Sequence, residues 1–65
     1  MLYFMEKTRK EKGLSQQEVG DRVGITQTRY SSYARGSRSL PVEIAKKIGK
    51  VFEVDWWRFY EYEEE

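Results

Sequence analysis

Glycines divide the first half of the chain into short stretches in which apolar residues recur at helical spacing. Gly13, Gly24 and Gly36 each follow such a stretch, and glycine readily adopts the left-handed conformation that is common just past a helix C-terminus. Apolar and polar residues nowhere alternate with a period of two for more than a few positions, so no strand is predicted. The pattern predicts an all-α fold with five helices, the first over about residues 3–12.

The segment after Gly13 carries a helix start signal. Ser15 and Glu18 have the spacing of a capping box, in which the serine accepts from the third helical amide and the glutamate reaches back to the serine amide. Leu14 and Val19 stand at the positions of a hydrophobic staple around this start. The second helix is therefore predicted to begin at Ser15 and to end before the next glycine.

Three more helices are predicted from caps and apolar spacing. Thr26 is a suitable N-cap for the third helix, and Pro41 suits the first turn of the fourth, which we expect to run from about residue 40 or 41 to Phe52. Asp55 is a suitable cap for a short fifth helix that reaches about residue 60. The buried stripe of the fourth helix is predicted to comprise Val42, Ala45, Ile48 and Phe52.

The turn between the second and third helices consists of Gly24, Ile25 and Thr26. Two helices joined by a glycine-containing turn of this length form a helix-turn-helix unit. Short glycine turns also occur in many helical bundles, so the turn alone is only moderately specific. The face of the third helix that we expect to be exposed strengthens the prediction, because its side chains can bond base edges and phosphates. These residues are Gln27, Thr28, Arg29, Ser31 and Ser32.

Composition argues against several kinds of site. The 65 residues include no cysteine and no histidine, which removes disulfides, cysteine zinc sites, the commonest general base and the commonest metal ligand. We therefore expect no catalytic activity, no metal, no cofactor and no small-molecule ligand. No apolar run approaches the roughly 20 residues of a membrane span, and no secretory signal is recognisable, so a cytoplasmic protein is expected.

Charge is unevenly distributed, although the formal net charge is only +1. Residues 1–52 contain eleven lysines and arginines against five acidic residues, whereas residues 53–65 contain Arg58 against six acidic residues. The basic body indicates a polyanionic partner, and a solvated surface with segregated charges explains the pattern equally well. Residues 60–65 are predicted to form a frayed, solubilising tail.

Several motifs, in order along the chain, resemble one known family. They are Gly13-Leu14-Ser15-Gln16, Val19-Gly20, Val23-Gly24-Ile25-Thr26 and Arg35-Gly36-Ser37-Arg38, continuing to Asp55-Trp56. Together they resemble the Cro/C1-type (XRE-like) helix-turn-helix domains, from about residue 5 to residue 60. The resemblance implies a single compact domain of residues 1–65, lambda-repressor-like and five-helical, whose third helix enters the major groove of duplex DNA.

The resemblance also implies roles for individual side chains. Gln27, Thr28 and Ser32 match base-reading positions, and the short side chains of Ser31 and Ser32 are expected to reach the bases through water. The phosphate contacts expected from the resemblance and from side-chain chemistry are Gln16, Gln17, Arg29, Arg35, Ser37 and Arg38.

Three positions depart from the family pattern. Ala34 stands where the family usually has a glutamate that pairs with the arginine matched by Arg9, so Arg9 needs another partner or stays solvated. Gly20 replaces the usual alanine, which still permits close helix crossing but costs about 1 kcal/mol of helix propensity. Thr8 stands where an apolar residue is usual. Each departure lowers the stability expected of a monomer.

Five aromatic residues crowd into residues 56–62. A short helix cannot bury every ring in one small core, and an exposed aromatic patch usually marks an interface. We expect Phe59 to pack inward, and Trp56, Trp57 and Tyr60 to form a dimer interface. The alternative is that the rings fold over the first and fourth helices, covered by residues 1–4.

The resemblance and the polar face lead to one functional prediction with alternatives. We expect a homodimeric transcriptional regulator, a repressor, that sets two recognition helices into successive major grooves of a pseudo-palindromic operator. It would resemble the stand-alone repressors of phages or prophages. A restriction–modification controller or an antitoxin of the same fold is an alternative that also binds DNA. A protein-interaction module without DNA binding is an alternative of another class, which Ala34 and the acidic tail leave open.

Overall fold

The computed structural model describes residues 1–61 as a series of helices joined by short turns. The four α-helices are Tyr3–Glu11 (α1), Gln16–Val23 (α2), Gln27–Arg35 (α3) and Val42–Phe52 (α4). A 3₁₀ helix, Trp56–Tyr60, follows them. Residues 1–61 contain no strand, which confirms the all-α prediction. Residues 62–65, most of the tail predicted to be frayed, lie outside the described residues.

The fifth helix is a 3₁₀ helix, so the prediction of five helices is confirmed only in part. Its amides reach three residues back, from Arg58 N–H to the Asp55 carbonyl and from Glu61 N–H to the Arg58 carbonyl, both at 3.2 Å. Asp55 is the N-cap residue, but its side chain makes no capping bond, which contradicts its predicted role. Five residues make too few i to i−4 bonds to offset the cost of nucleating an α-helix, which favours the tighter turn.

The start signals of α2 and α3 form the caps that the sequence predicts. Ser15 Oγ accepts from the Glu18 N–H at 3.0 Å, and Glu18 Oε1 accepts from the Ser15 N–H at 2.9 Å. Thr26 Oγ1 accepts from the Arg29 N–H at 3.0 Å. Gly24 ends α2 in the left-handed region with φ of 81°. These local bonds fix the point at which each helix begins.

Gly20 lies where α2 meets the turn that leads into α3. A Cβ atom on Gly20 would lie 2.7 Å from the carbonyl oxygen of Ile25, closer than real contacts allow. The Gly20 carbonyl also accepts from the N–H groups of Gly24 and Ile25, at 2.8 and 2.9 Å. The close approach that Gly20 permits is therefore to the backbone of the turn, whereas the sequence indicated a close crossing of helices.

The core receives side chains from every helix. Its largest fully buried side chains are Met5, Val19, Tyr30, Ile48, Phe52 and Phe59. The inward position predicted for Phe59 is thus confirmed, and so are three of the four positions in the buried stripe of α4. The prediction for Val42 is wrong, because its side chain is 47% exposed. Val42 is the first residue of α4, and Leu40, just before the helix, is buried in its place.

Contacts between helices bring α2 and α3 together as the two arms of a helix-turn-helix unit. Helix α4 packs against α2 and the 3₁₀ helix, and α1 packs against α3 and the 3₁₀ helix. The Leu2 N–H donates to the Ala34 carbonyl at 2.8 Å, which ties the first residues to the end of α3. Within residues 1–61, no helix has the length and apolar character needed to cross a bilayer.

Candidate nucleic-acid interface

The first turn of α3 carries side chains that stand clear of the rest of the protein. Tyr30, Tyr33 and Ala34 bury one side of this helix in the core. The residues of the opposite side are Gln27, Thr28 and Arg29, which are exposed, and Ser31 and Ser32, which are half-buried. An exposed glutamine amide offers both donors and an acceptor, and threonine offers a hydroxyl and a methyl group. This face can therefore bond the edges of bases in a groove.

The loop after α3 folds back onto the last turn of that helix. The Ser37 and Arg38 N–H groups donate to the Ser32 carbonyl at 3.1 and 3.3 Å, and Ser37 Oγ donates to the same oxygen at 3.2 Å. Arg35, Ser37 and Arg38 are all exposed. The end of α3 and the loop therefore each present one exposed guanidinium group, Arg35 and Arg38, while the hydroxyl proton of Ser37 is already engaged.

Positive charge is concentrated around α3. Residues 22–42 contain four arginines and no acidic residue, namely Arg22, Arg29, Arg35 and Arg38. All four side chains are exposed. A cationic face on and around a protruding helix is the electrostatic footprint of a polyanion partner. In the sequence, the stretch without acidic residues was the signal that located the basic surface. The charge count over the whole of residues 1–52 obscured it.

The N-terminal end of α2 brings two glutamines to the same part of the molecule. Gln17 is exposed and Gln16 is half-buried. Gln16 Nε2 donates to Glu6 Oε1 at 3.2 Å, which leaves the second N–H of the amide for another acceptor. Helix N-termini carry partial positive charge that favours anions. The end of α2 can therefore receive a phosphate oxygen, with the Gln16 side chain held from behind.

Glu6 is a functional candidate that sequence reasoning missed. Its carboxylate accepts from Arg9 Nε at 2.9 Å, from the second guanidinium nitrogen of Arg9 at 3.1 Å, and from the Tyr30 hydroxyl at 2.8 Å. Arg9 also donates to the Leu14 carbonyl at 2.6 Å. Glu6 thus replaces the family glutamate that is missing at Ala34 as the partner of Arg9. The spacing of Glu6 and Arg9, three residues apart on α1, was the available signal.

The pKa values of this cluster follow from its contacts. Burial raises the pKa of Glu6, but the hydrogen bonds from Arg9, Tyr30 and Gln16 and the charge of Arg9 outweigh burial, so the pKa lies below 4.5. The hydrogen bonds that Arg9 donates to Glu6 raise the pKa of Arg9. Burial and the charge of Glu6 raise the pKa of Tyr30 far above its ordinary value. At neutral pH the cluster therefore holds a carboxylate, a guanidinium and a neutral phenol.

Residues 1–61 bring together no group of acidic side chains that could hold a metal ion. The exposed groups around α3 are amides, hydroxyls and guanidinium groups, which bind by hydrogen bonding and charge.

The aromatic residues of the 3₁₀ helix divide between the core and the surface. Phe59 is buried against Phe4 and Phe52, with ring centroids 6.0 Å apart in both pairs. The Arg58 guanidinium lies 4.0 Å from the Phe4 centroid and covers that ring. The N-terminal residues do pack on the aromatic segment, as one of the two sequence-based alternatives expected, but Phe4 contacts the buried Phe59. The side chain of Trp57 remains 53% exposed.

The surface aromatics contact one another edge to face. Trp56, which is half-buried, lies 5.7 Å from Trp57 and 6.2 Å from Tyr60 between ring centroids. The Lys46 ammonium lies 5.6 Å from the Trp56 ring. Tyr60 is 36% exposed, and its hydroxyl donates to the Leu40 carbonyl at 2.7 Å. The three rings therefore form one patch in which Trp57 and Tyr60 are exposed and Trp56 is half-buried.

Gly49 brings this aromatic patch close to α4. A Cβ atom on Gly49 would lie 3.0 Å from both the Trp56 Cβ and the Val54 carbonyl oxygen. The Gly49 carbonyl accepts from the Val54 N–H at 3.0 Å, and Glu53 turns the chain with φ of 59°. The absence of a side chain at Gly49 therefore lets the chain after α4 fold directly onto that helix.

Comparison with known proteins gives concordant results. The helix-turn-helix family matches residues 5–56. YqaF of Bacillus subtilis (strain 168), described as an uncharacterized HTH-type transcriptional regulator, is 36% identical over 61 residues, covering 94% of this chain and 80% of YqaF. YqaE of the same organism, described in the same words, is 36% identical over 50 residues, covering 77% of this chain and 43% of YqaE.

A solved structure shows the same arrangement of helices. The N-terminal DNA binding domain of SinR from Bacillus subtilis matches with a TM-score of 0.82 and 25% sequence identity. The match covers 98% of this chain and 94% of that domain. The family match, the two relatives and this structural agreement all fit the helix-turn-helix unit formed by α2 and α3. The chain therefore belongs to the Cro/C1-type helix-turn-helix family of DNA-binding transcriptional regulators.

Proposed function

We propose that this chain regulates transcription by binding a specific duplex DNA site with α3 in the major groove. The observation that carries the proposal is the free first turn of α3, where Gln27 and Thr28 are exposed while Tyr30 anchors the same helix in the core. The major groove of B-DNA is about 12 Å wide and admits one α-helix. Gln27 bonds adenine bidentately, and Thr28 meets a thymine methyl group or a phosphate.

Phosphate contacts around α3 set its register on the duplex. Arg29, Arg35 and Arg38 are exposed cations on α3 and the loop that follows it. Gln16 and Gln17 stand at the positive end of α2 and bind the backbone on the other side of the groove. These contacts are independent of base sequence, so they supply affinity, and the first turn of α3 supplies specificity.

Three serines have smaller roles. Ser31 and Ser32 are half-buried, and their short side chains reach the bases through water. Ser37 donates its hydroxyl proton to the Ser32 carbonyl at 3.2 Å, so it must give up this bond to donate to a phosphate. We therefore assign Ser37 a weaker contact than its arginine neighbours.

The active form in this proposal is a homodimer that represses transcription in the cytoplasm. Trp56, Trp57 and Tyr60 form its interface, because large aromatic side chains exposed in one patch are characteristic of interface cores. A two-fold dimer would present two copies of α3 about 34 Å apart, one helical turn of DNA. Its operator would then be a pseudo-palindrome.

Selection of duplexes from a random-sequence pool with the purified protein tests this function. We expect the enriched sites to be pseudo-palindromic with half-sites about one helical turn apart, and binding to weaken steeply as salt rises. Enrichment of a single half-site would refute the dimer. Failure to bind any duplex in a salt-dependent manner would refute DNA binding itself and favour a protein-interaction module.

The interaction-module alternative loses one of its two supports in the structure. Without a glutamate at position 34, Arg9 was expected to find another partner or to stay solvated, and in the structure it donates to Glu6 through two hydrogen bonds of 2.9 and 3.1 Å. Arg9 therefore has an acidic partner on α1 in place of one at position 34. Ala34 gives no reason to infer a loss of DNA binding.

A further inference from the structure

We propose that the Glu6 carboxylate is a positioning residue for DNA binding, which holds the phosphate-contacting end of α2 and the base-reading helix α3 at a fixed separation. This inference rests on the proposed function. Glu6 lies on α1, and its carboxylate side chain is 12% exposed. Both of its oxygens are engaged, and their partners come from three different segments of the chain.

One oxygen orients Gln16. Glu6 Oε1 accepts from Gln16 Nε2 at 3.2 Å, and an ionised carboxylate can only accept. The nitrogen of the Gln16 amide must therefore face Glu6, while its second N–H is left to donate elsewhere. The carboxylate at position 6 therefore fixes the orientation of the Gln16 amide. In this orientation the second N–H of Gln16 can donate to a phosphate oxygen, which accepts hydrogen bonds but cannot donate them.

The other oxygen holds α3. Glu6 Oε2 accepts from the Tyr30 hydroxyl at 2.8 Å. Tyr30 lies three residues after Gln27 on α3 and is fully buried, so this bond limits rotation and sliding of the base-reading turn. The same carboxylate is therefore bonded to both elements that contact DNA in the proposed function.

Arg9, which also lies on α1, completes the arrangement and links it to the loop before α2. Its guanidinium donates to both Glu6 oxygens and to the Leu14 carbonyl at 2.6 Å. Glu6 and Arg9 compensate each other's charge, so the carboxylate does not repel a phosphate bound near Gln16 as an isolated charge would. The pair is thus suited to a place beside a polyanion.

The sign of one mutational effect separates positioning from simple electrostatics. Glu6→Gln removes a negative charge near DNA, and electrostatics alone predicts tighter binding to a duplex enriched from the random pool. Loss of the oriented Gln16 donor predicts binding weaker by about tenfold, the effect of one charge-assisted hydrogen bond. Glu11→Gln makes the same charge change at an exposed site on α1, and we expect that control to bind within about twofold of the wild type.

A double-mutant cycle links the effect to Gln16. We expect Gln16→Ala to weaken binding about tenfold in the wild type and less than about twofold in the Glu6→Gln background, because the donor is already misplaced there. Additive losses would overturn the link between the two residues. Binding of Glu6→Gln as tight as that of Glu11→Gln would overturn the proposal as a whole.

Tyr30→Phe tests the α3 half of the proposal and covers the case in which Glu6→Gln does not fold. This variant keeps the charge at position 6 and the bond to Gln16. We expect it to weaken binding to the enriched duplex several-fold and to leave binding to an unrelated duplex unchanged. Wild-type binding to the enriched duplex would overturn the role assigned to Tyr30.

DNA binding by the wild type and by the variants distinguishes failure of this inference from failure of the proposed function. Each variant is measured well below its unfolding midpoint, with circular dichroism and the amide NMR spectrum showing that it is folded. If the wild type binds no duplex, the proposed function fails. If the wild type binds and Glu6→Gln matches Glu11→Gln, only the positioning role fails.

Discussion

The hydroxyl of Tyr30 donates a 2.8 Å hydrogen bond to Glu6 Oε2 and joins α3 to α1 across 24 residues of sequence. The phenol ring is fully buried, and the carboxylate keeps only 12% of its surface exposed. Removing either partner would leave a polar group in a poorly hydrated place, which costs more than the bond itself contributes. This contact therefore matters to folding as well as to the placement of α3.

Stability is expected to fall in acid because Glu6 is bound as a carboxylate. Its pKa in the folded protein lies below the unfolded value of 4.5, so its contribution is fully present above 4.5 and is lost as pH falls through the folded pKa. At neutral pH we expect Glu6→Gln to lower the free energy of unfolding by about 1–3 kcal/mol. Urea denaturation at a series of pH values measures both effects.

The difference between wild type and Glu6→Gln is the decisive quantity. It should shrink toward zero as the pH falls, since both proteins then carry an uncharged group at position 6. Glu11→Gln is the control, because its side chain is exposed on the same helix. A difference that stays constant from neutral pH into strong acid would contradict the stabilising role of the charged carboxylate.

The cap of α2 makes a measurable local contribution. Ser15→Ala removes the acceptor for the Glu18 N–H, a bond of 3.0 Å, and should lower stability by about 1 kcal/mol. For a domain of this size the thermal midpoint should fall by about 4–8 °C. Ser39→Ala, at an exposed position in the loop before α4, should change the midpoint little. Equal shifts in the two variants would show that the capping bond contributes nothing.

Gln27 should affect specificity, and the neighbouring arginines should affect affinity. Gln27→Ala should cost about 1–3 kcal/mol at the selected operator and little on random DNA. Arg35→Gln should weaken binding to both duplexes and lower the salt dependence by about one unit of slope. Fluorescence anisotropy over a salt series distinguishes the two patterns. Equal losses on both duplexes for Gln27→Ala would disprove its base-reading role.

Trp57 offers the cleaner test of the dimer. It is 53% exposed, whereas Trp56 is half-buried and packs on its neighbours, so Trp57→Glu disturbs the monomer less. We expect this variant to shift toward monomer in sedimentation velocity and to lose operator affinity. Val42→Glu places the same charge on a side chain that is 47% exposed on α4. If Trp57→Glu sediments like the wild type, Trp57 is not in the interface.

Local signals in the sequence predicted most of the helix boundaries. The Ser15–Glu18 box and the Thr26 cap involve residues three apart, so the chemistry that starts each helix is visible within one turn. Gly24 and Gly36, with φ of 81° and 83°, end their helices for an equally local reason. The exposure of Gln27 and Thr28 followed from the same reasoning.

Features that depend on distant contacts were not predictable in this way. Glu6 draws partners from α2 and α3, which lie 10 and 24 residues away, and no local pattern announces their meeting. Helical periodicity placed Val42 in the buried stripe of α4. Val42 is the first residue of that helix and is 47% exposed, because the end of a helix can extend beyond the core against which its middle packs. Residues 56–60 pack against both α1 and α4, and the sequence alone did not distinguish their 3₁₀ form from a short α-helix.

Gly49 has a consequence for the span of any dimer built on the aromatic patch. A Cβ atom added at Gly49 would lie only 3.0 Å from the Trp56 Cβ, so the patch packs directly against the bare backbone of α4. If two copies pair through this patch as proposed, the angle at which they meet, and with it the spacing of their half-sites, would depend in part on the absence of a side chain at Gly49. A methyl group at Gly49 would force Trp56 or the Val54 carbonyl to shift by a few tenths of an ångström, and in a dimer built on this patch that shift would be passed on to the relative placement of the two recognition helices.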